Sequence, residues 1–137
     1  MLPGVTPDEE AVLAAMDALD AALDRQDPDA VAALFIDDPA ATFWGSAVSE
    51  EALGRDDIRT LLGPSGSSET FRLTYHDRRV ATNGDVAWVN ASGTATWERT
   101  GHDTLQMPYR LTAIFVRDGG AWRWHTHHGS EPSPDEA

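Results

Sequence analysis

The chain has 137 residues, which is the usual length of one domain, and 41% of them are hydrophobic, enough for a single core. Its net charge is −13 and its ten basic residues are all arginine, so a nucleic-acid backbone would be repelled. Cysteine is absent, which excludes disulfides, thiolate catalysis and cysteine-ligated zinc.

The sequence carries no recognisable targeting or membrane signal. Residues 1–4 are not a basic region followed by an apolar stretch, which a signal peptide would have. The longest clearly apolar run, residues 111–116, is far shorter than the ~20 residues that cross a bilayer. We therefore expect a cytoplasmic protein that has no membrane partner.

The N-terminal part of the chain is predicted to be helical. Residues 6–9 (TPDE) form a capping-box pattern with proline at the first helical position. Apolar residues then recur at helical spacing: Val12, Met16, Leu19 and Leu23. We expect this helix to end near Gln26, a second helix to begin at Pro28, and a third to begin at residues 54–57.

Strands are predicted mainly in the second half of the chain. A short strand is expected at residues 40–44, and residues 63–68 form a turn-rich linker. Near Thr70 the apolar period changes from helical to two. Four strands joined by tight hairpins are then predicted at residues 71–80, 86–98, 105–117 and 121–130.

Helices followed by an antiparallel meander are typical of an α+β domain. Three helices are expected to cover one face of a curved antiparallel sheet. Because a long, bent sheet cannot close its wide end over the helices, we expect a concave pocket there.

Three stretches of the chain carry a family likeness. They are residues 33–39 (ALFIDDP) running into 42–45 (TFWG) and 54–58 (GRDDI), residues 108–112 (PYRLT), and residues 120–124 (GAWRW) followed by 128–132 (HGSEP). In this order and spacing they resemble the SnoaL-like, ketosteroid-isomerase-like branch of the nuclear transport factor 2-like superfamily. The likeness covers most of the chain and implies one domain, residues 1–137, with its core at about residues 7–132.

The resemblance implies a cone-shaped, cystatin-like fold, in which three helices pack against a curved sheet, and a homodimer formed through the sheet face. The functions in this superfamily are diverse: isomerases, dehydratases, cyclases, oligomerisation modules and proteins of unknown role. The resemblance therefore indicates the fold more than the reaction.

The last predicted strand supplies the catalytic candidate. Side chains alternate along a strand, and Trp122 and Trp124 favour their own face as the inner one. His128 would share that face and point into the pocket, where an imidazole can donate, accept or carry a proton. The alternative is a histidine that hydrogen-bonds Ser130 or a backbone carbonyl and only stabilises the strand.

Side-chain alternation does not show which face of the preceding strand points into the pocket, because both of its faces contain apolar residues. In the family, the positions matching Arg110 and Thr112 face the cavity, and we carry that over. An inward Arg110 would bind a carboxylate or another anionic group, unless it pairs with Glu98 or a helix aspartate. The nearby aromatic and polar residues either line the pocket as well or belong to the core. If they line it, the predicted ligand-binding residues are Arg110, Tyr109, Thr112, Trp44, Trp88, Asn90 and Trp124.

No metal or cofactor is predicted. His125 and His127, two residues apart on a strand, could share a metal with His76 and Asp77. The two strand histidines are, however, expected on the outer face of the sheet, so the metal signal is weak.

The sequence departs from catalytic relatives of the family. Where ketosteroid isomerases place a general-base aspartate, this chain has Thr42 and Phe43, and residues 18–21 lack the first-helix tyrosine that those enzymes use as an oxyanion donor. Three hypotheses follow. The first is a domain that binds a small, partly apolar, anionic ligand. The second is a cofactor-independent isomerase, dehydratase or cyclase with His128 as base. The third is a homo-oligomerisation module whose pocket is vestigial.

Overall fold

In a computed structural model, which describes residues 5–63 and 69–135, the described chain forms three helices and a six-stranded sheet. The helices are α1 (Pro7–Asp24), α2 (Pro28–Ala33) and α3 (Gly54–Leu62). The capping box is present, since the Glu9 amide donates to Thr6 Oγ1 over 3.1 Å and the Thr6 amide donates to Glu9 Oε1 over 3.3 Å. The three predicted helices are thus confirmed.

The sheet contains the five predicted strands and a short additional one. Its strands are β1 (Thr42–Trp44), β2 (Glu51–Leu53), β3 (Glu69–Asn83), β4 (Val86–Arg99), β5 (Leu105–Asp118) and β6 (Ala121–Ser130). They lie in the order β2-β1-β6-β5-β4-β3, and only the β1–β6 pair is parallel among the described pairs. Residues 64–68 of the predicted linker lie outside the described part. The α+β class is confirmed.

The core lies between the helices and the inner face of the sheet. The buried residues of α1 are Val12, Met16, Leu19 and Ala22. The inner face of β4 is made of small or medium residues, namely Ala87, Val89, Ala91, Gly93 and Ala95. A helix can pack closely on such a surface, which leaves the larger side chains of β4 on the outer face.

A β-bulge in β6 determines which of its side chains face inward. Phe115 pairs with Trp124 and the adjacent Ile114 pairs with Thr126, so His125 has no partner on β5. Alternation therefore shifts by one residue after Trp124. His127 and Gly129 therefore face the helices, and His128 faces outward.

No helix within residues 5–63 or 69–135 is long and apolar enough to cross a membrane.

Candidate functional site

A pocket of about 280 Å³ lies between the helices and the inner face of the sheet. It is bounded by the end of α1, by α2 and α3, by the loop between β1 and β2, and by one end of strands β3 to β6. The residues that line it are Leu23, Gln26, Asp27, Pro28, Val31, Phe43, Gly45, Ser46, Glu50, Leu61, Leu62, Glu69, Phe71, Trp97, Tyr109 and His127. We refer to this space as the pocket.

Of the predicted site residues, only Tyr109 lines the pocket. Trp124 is fully buried in the core, where its ring packs on Phe35 and Phe115 and its Nε1 donates to the carbonyl oxygen of Ala15 over 3.0 Å. The other predicted residues are exposed on the outer face of the sheet: Trp44, Trp88, Asn90, Arg110, Thr112 and His128.

The inward placement of His128 was wrong because of the bulge at His125. On the outer face, the His128 ring meets the edge of Trp44, with ring centroids 5.4 Å apart. The expectation that His127 faces outward was wrong for the same reason. The bulge does not interrupt the hydrophobic pattern of residues 121–130, so side-chain alternation alone could not locate it.

The inward placement of Arg110 and Thr112 was also wrong. The inner residues of β5 are Tyr109, Leu111, Ala113 and Phe115, all buried. Thr112 lies opposite Asn90 on the outer face, where its hydroxyl donates to the Asn90 side-chain oxygen over 3.3 Å.

Trp88 and Asn90 face outward because the small side chains that alternate with them on β4 form part of the packed core. Trp88 is 40% exposed, whereas its neighbours Ala87 and Val89 are fully buried. A tryptophan on the inner face of this strand would have to fit into the core that Ala87, Val89 and Ala91 help to form.

His127 is the buried polar residue of the pocket, with 2% of its surface exposed. Its ring stacks on Phe43, with centroids 4.3 Å apart and planes inclined by 7°. The pKa of His127 is lowered to about 4, mainly by burial and also by the nearby His128, while hydrogen bonds to the Trp44 and His127 backbones oppose the decrease. The imidazole is therefore neutral at pH 7.

The surroundings of His127 also define its tautomer. Nδ1 lies 3.4 Å from the carbonyl oxygen of Trp44. A carbonyl oxygen only accepts hydrogen bonds, so we assign the ring proton to Nδ1, which leaves Nε2 as an acceptor. No other side chain in the described part of the chain hydrogen-bonds to this ring.

Tyr109 provides the second polar group of the pocket. Burial raises the pKa of its hydroxyl to about 12, and the negative charges of Glu50 and Glu131 add to the increase, whereas a hydrogen bond with Ser46 opposes it. The hydroxyl lies against Gly129, where an added Cβ would overlap it. Glycine at this position therefore creates the space that the tyrosine hydroxyl occupies.

Aromatic rings surround these two polar groups. The Phe71 ring lies 4.7 Å from Trp97 and 6.0 Å from Tyr109, measured between centroids. Together with Phe43 and the aliphatic residues of the helices, they make most of the pocket wall apolar. Such a wall with a few polar groups is typical of sites that bind small organic molecules.

Comparison with known protein families identifies the chain. A family model described as "SnoaL-like domain" matches residues 12–134, which is most of the sequence. The chain belongs to the SnoaL-like domain family. A search of the curated proteins finds no match.

Solved structures of other proteins show the same fold. A ketosteroid isomerase-like protein from Erwinia carotovora atroseptica has 21% sequence identity and a TM-score of 0.78, covering 94% of this chain and 99% of that one. A candidate dehydratase of the nuclear transport factor 2-like family from Streptomyces avermitilis has 19% identity and a TM-score of 0.78, covering 91% and 97%. A nuclear transport factor 2-like protein from Salmonella enterica has 18% identity and a TM-score of 0.74, covering 93% and 92%.

In this SnoaL-like domain, acidic side chains gather at the pocket. Asp27, Glu50 and Glu69 belong to its lining. Glu131 accepts a hydrogen bond of 2.6 Å from the hydroxyl of Ser46, and the Glu50 carboxylate accepts one of 2.8 Å from the amide of Ala47. These two bonds hold both glutamates beside the 45–50 loop, where both act on Tyr109.

Sequence reasoning missed most of the residues that form this SnoaL-like pocket. Glu50 and Ser46 lie in a loop that has no periodic pattern, and Trp97 is near the end of β4. One signal was available for Trp97, because it continues the alternation of the inner alanines of β4.

Proposed function

We propose that this domain binds a small, partly apolar organic molecule in the pocket, with His127 and Tyr109 as the polar contacts. The observation that carries the proposal is His127, a neutral histidine that is almost completely buried, lines the pocket and keeps Nε2 as a hydrogen-bond acceptor. The described residues contain no buried side-chain nitrogen or oxygen that lacks a hydrogen-bond partner. Nε2 is therefore proposed as an acceptor that a ligand in the pocket can use, because His127 belongs to the pocket lining.

Binding is favoured over catalysis by the protonation states of these two groups. General acid–base catalysis is most effective when the pKa lies near the working pH. The pKa of His127 is lowered to about 4 and that of Tyr109 is raised to about 12, so neither group exchanges a proton readily at pH 7. His128 lies on the outer face and does not serve the pocket as a base, which removes the support for the predicted isomerase, dehydratase or cyclase mechanism.

The expected anionic character of the ligand has also lost its basis. It depended on an inward Arg110, and Arg110 is exposed on the opposite face of the sheet. A pocket filled by Trp88 and Trp124 would favour the oligomerisation module with a vestigial pocket, but neither residue is among those that line the pocket.

A fragment screen by two-dimensional NMR tests the binding function. We expect one- and two-ring fragments to shift the backbone amides around residues 43, 109 and 127. His127→Phe and Tyr109→Phe, which keep the aromatic volume, should weaken binding about tenfold, as expected for the loss of a buried hydrogen bond. His128→Phe is the matched control and should bind as the wild type does.

Three outcomes would contradict the binding function: no fragment binds, fragments bind only the outer face, or the His127 and Tyr109 variants bind as tightly as the wild type. Analysis of the purified protein by native mass spectrometry provides an independent check, since a co-purified molecule that is lost in His127→Phe but retained in His128→Phe would support the same pocket.

We also propose that the domain forms a homodimer through the outer face of the sheet, in the cytoplasm and without a nucleic-acid or membrane partner. Trp44, Trp88 and Ile114 are 41%, 40% and 36% exposed on this face. Large exposed apolar side chains grouped on one face are typical of a protein interface. They lie on the opposite side of the sheet from the pocket, so both functions can coexist.

Light scattering after size exclusion tests the dimer. The wild type should have twice the monomer mass, and Trp88→Asp should lower it towards the monomer mass at low concentration. Val48→Asp is the control, because Val48 is 98% exposed in the loop between β1 and β2. A monomeric wild type, or an undisturbed dimer in Trp88→Asp, would contradict the proposal.

A further inference from the structure

We propose that the ligand of the pocket is a protonated amine carried on an aromatic or other apolar body. This inference rests on the proposed binding function and adds the charge class of the ligand.

The charged side chains around the pocket have one sign. Its lining includes Asp27, Glu50 and Glu69 but no arginine, and the whole chain contains no lysine. Glu131 adds a fourth carboxylate through its bond to Ser46. An anionic ligand would therefore enter a negative potential, whereas a cationic ligand would be attracted.

Three of these carboxylates, Asp27, Glu50 and Glu131, have no arginine partner among the ion pairs of the described residues. The ion pairs of the described residues join arginines to aspartates elsewhere, for example Arg78 to Asp17 and Arg117 to Asp8. None of the described ion pairs involves Asp27, Glu50 or Glu131. A cation in the pocket would thus gain charge partners without breaking any of these pairs.

Glu50 and Glu131 converge on one point of the pocket wall. Gly45 lies so close to the Glu50 carboxyl group that a Cβ there would overlap it, and the neighbouring Ser46 hydroxyl donates to Glu131. Both carboxylates also act on the Tyr109 hydroxyl. An ammonium group beside Tyr109 would be within the field of both glutamates, and its N–H groups would form charge-assisted hydrogen bonds.

The neutral groups of the pocket suit the same ligand. His127 Nε2 can accept a hydrogen bond from an N–H group, but it cannot donate one to a carboxylate. The rings of Phe71 and Trp97 line the pocket and can make cation–π contacts with an ammonium group. The carboxylates, the His127 acceptor and the aromatic rings of the pocket can therefore all interact favourably with a protonated amine.

An organic ammonium explains these features better than a metal ion. Within the described residues, no three histidine, aspartate or glutamate side chains lie close enough to hold one ion.

The neighbouring hollow, which shares Glu69 and Trp97 with the pocket, contains one arginine, Arg99, beside His102. Its other charged residues are acidic, namely Glu69, Asp103 and Glu131.

Three ligands of nearly equal shape test the charge class: 2-naphthylmethylamine, 2-naphthylmethanol and 2-naphthoic acid, titrated at pH 7 by calorimetry and NMR. We expect the amine to bind at least about tenfold more tightly than the alcohol, and the acid to bind most weakly. Glu50→Gln, which retains an acceptor for the Ala47 amide, should remove most of this preference. Glu51→Gln, exposed on β2 and absent from the pocket lining, is the matched control and should retain it.

A second variant, Glu131→Gln, should reduce amine binding in the same way, so the test does not depend on one substitution. If the alcohol or the acid binds in the pocket at least as tightly as the amine, or if Glu50→Gln and Glu131→Gln leave the preference intact, the charge class is wrong and the binding function stands. If no ligand of any charge binds in the pocket, including every fragment of the NMR screen, the binding function falls as well.

Discussion

Asp20 is an acidic residue whose removal should stabilise the protein. It lies on α1 and is partly buried beside β3. Burial raises the pKa of Asp20 to about 7 from its ordinary value of 3.8, the charge of Asp17 raises it further, and Arg78 opposes the increase. The same burial raises the pKa of Tyr75, to which the charge of Asp20 contributes.

The sign of the effect follows from proton linkage. Because the folded state holds the Asp20 proton more tightly than the unfolded state, the free energy of unfolding falls as the pH rises from about 4 to about 7, and the penalty is complete above pH 7. A pKa increase of about 3 units at ~1.4 kcal/mol per unit gives an upper limit of about 4 kcal/mol. Since an amide also loses hydration on burial, we expect Asp20→Asn to stabilise the protein by about 1–3 kcal/mol at pH 8.

Urea denaturation followed by circular dichroism at pH 8 and at pH 4 measures this effect. The variant should be more stable than the wild type at pH 8, and the difference should largely disappear at pH 4. The matched control is Asp17→Asn, because Asp17 is more exposed and forms an ion pair with Arg78 over 2.8 Å. Loss of such an exposed ion pair should change the free energy of unfolding by less than about 1 kcal/mol. If Asp20→Asn gives no gain at pH 8, or the same gain at both pH values, the reasoning about burial is refuted.

Two further substitutions test the packing around the pocket and the core. Gly129→Ala should destabilise the protein by about 2 kcal/mol or more in thermal unfolding, because its Cβ would overlap the Tyr109 hydroxyl; an unchanged melting temperature would show that the tyrosine is not held there. Trp124→Phe should cost about 2–3 kcal/mol by removing volume and the bond to the Ala15 carbonyl, whereas Trp88→Phe, which keeps an apolar ring on the outer face, should cost less than about 1 kcal/mol. Equal effects of the two tryptophan substitutions would contradict the assignment of faces.

Local sequence signals were sufficient for the elements but not for the site. The capping box at Thr6 and the change of period near Thr70 depend on neighbouring residues, so the helices and five of the strands could be predicted. Strand β2, Glu51–Leu53, was missed because its three residues, unlike those of the equally short β1, include no β-branched or aromatic side chain.

The faces of the strands depended on contacts that are distant in sequence. The bulge at His125 is defined by pairing with β5, and one such residue exchanges the positions of His127 and His128. In β5 both faces are apolar, because the outer face carries residues such as Ile114. The outward position of Trp88 follows from the packing of Ala87, Val89 and Ala91 into the core, which the sequence of β4 alone does not show.

The most direct test of this account is the protonation of His127, measured from imidazole nitrogen chemical shifts in long-range ¹H–¹⁵N spectra recorded between pH 4 and pH 8. The His127→Phe variant assigns the signals. We predict a neutral ring that carries its proton on Nδ1 throughout the range above about pH 5, with an Nε2 shift that responds to a ligand in the pocket. A His127 ring that titrates near the ordinary value of 6.5 would contradict the buried acceptor on which the proposed function depends.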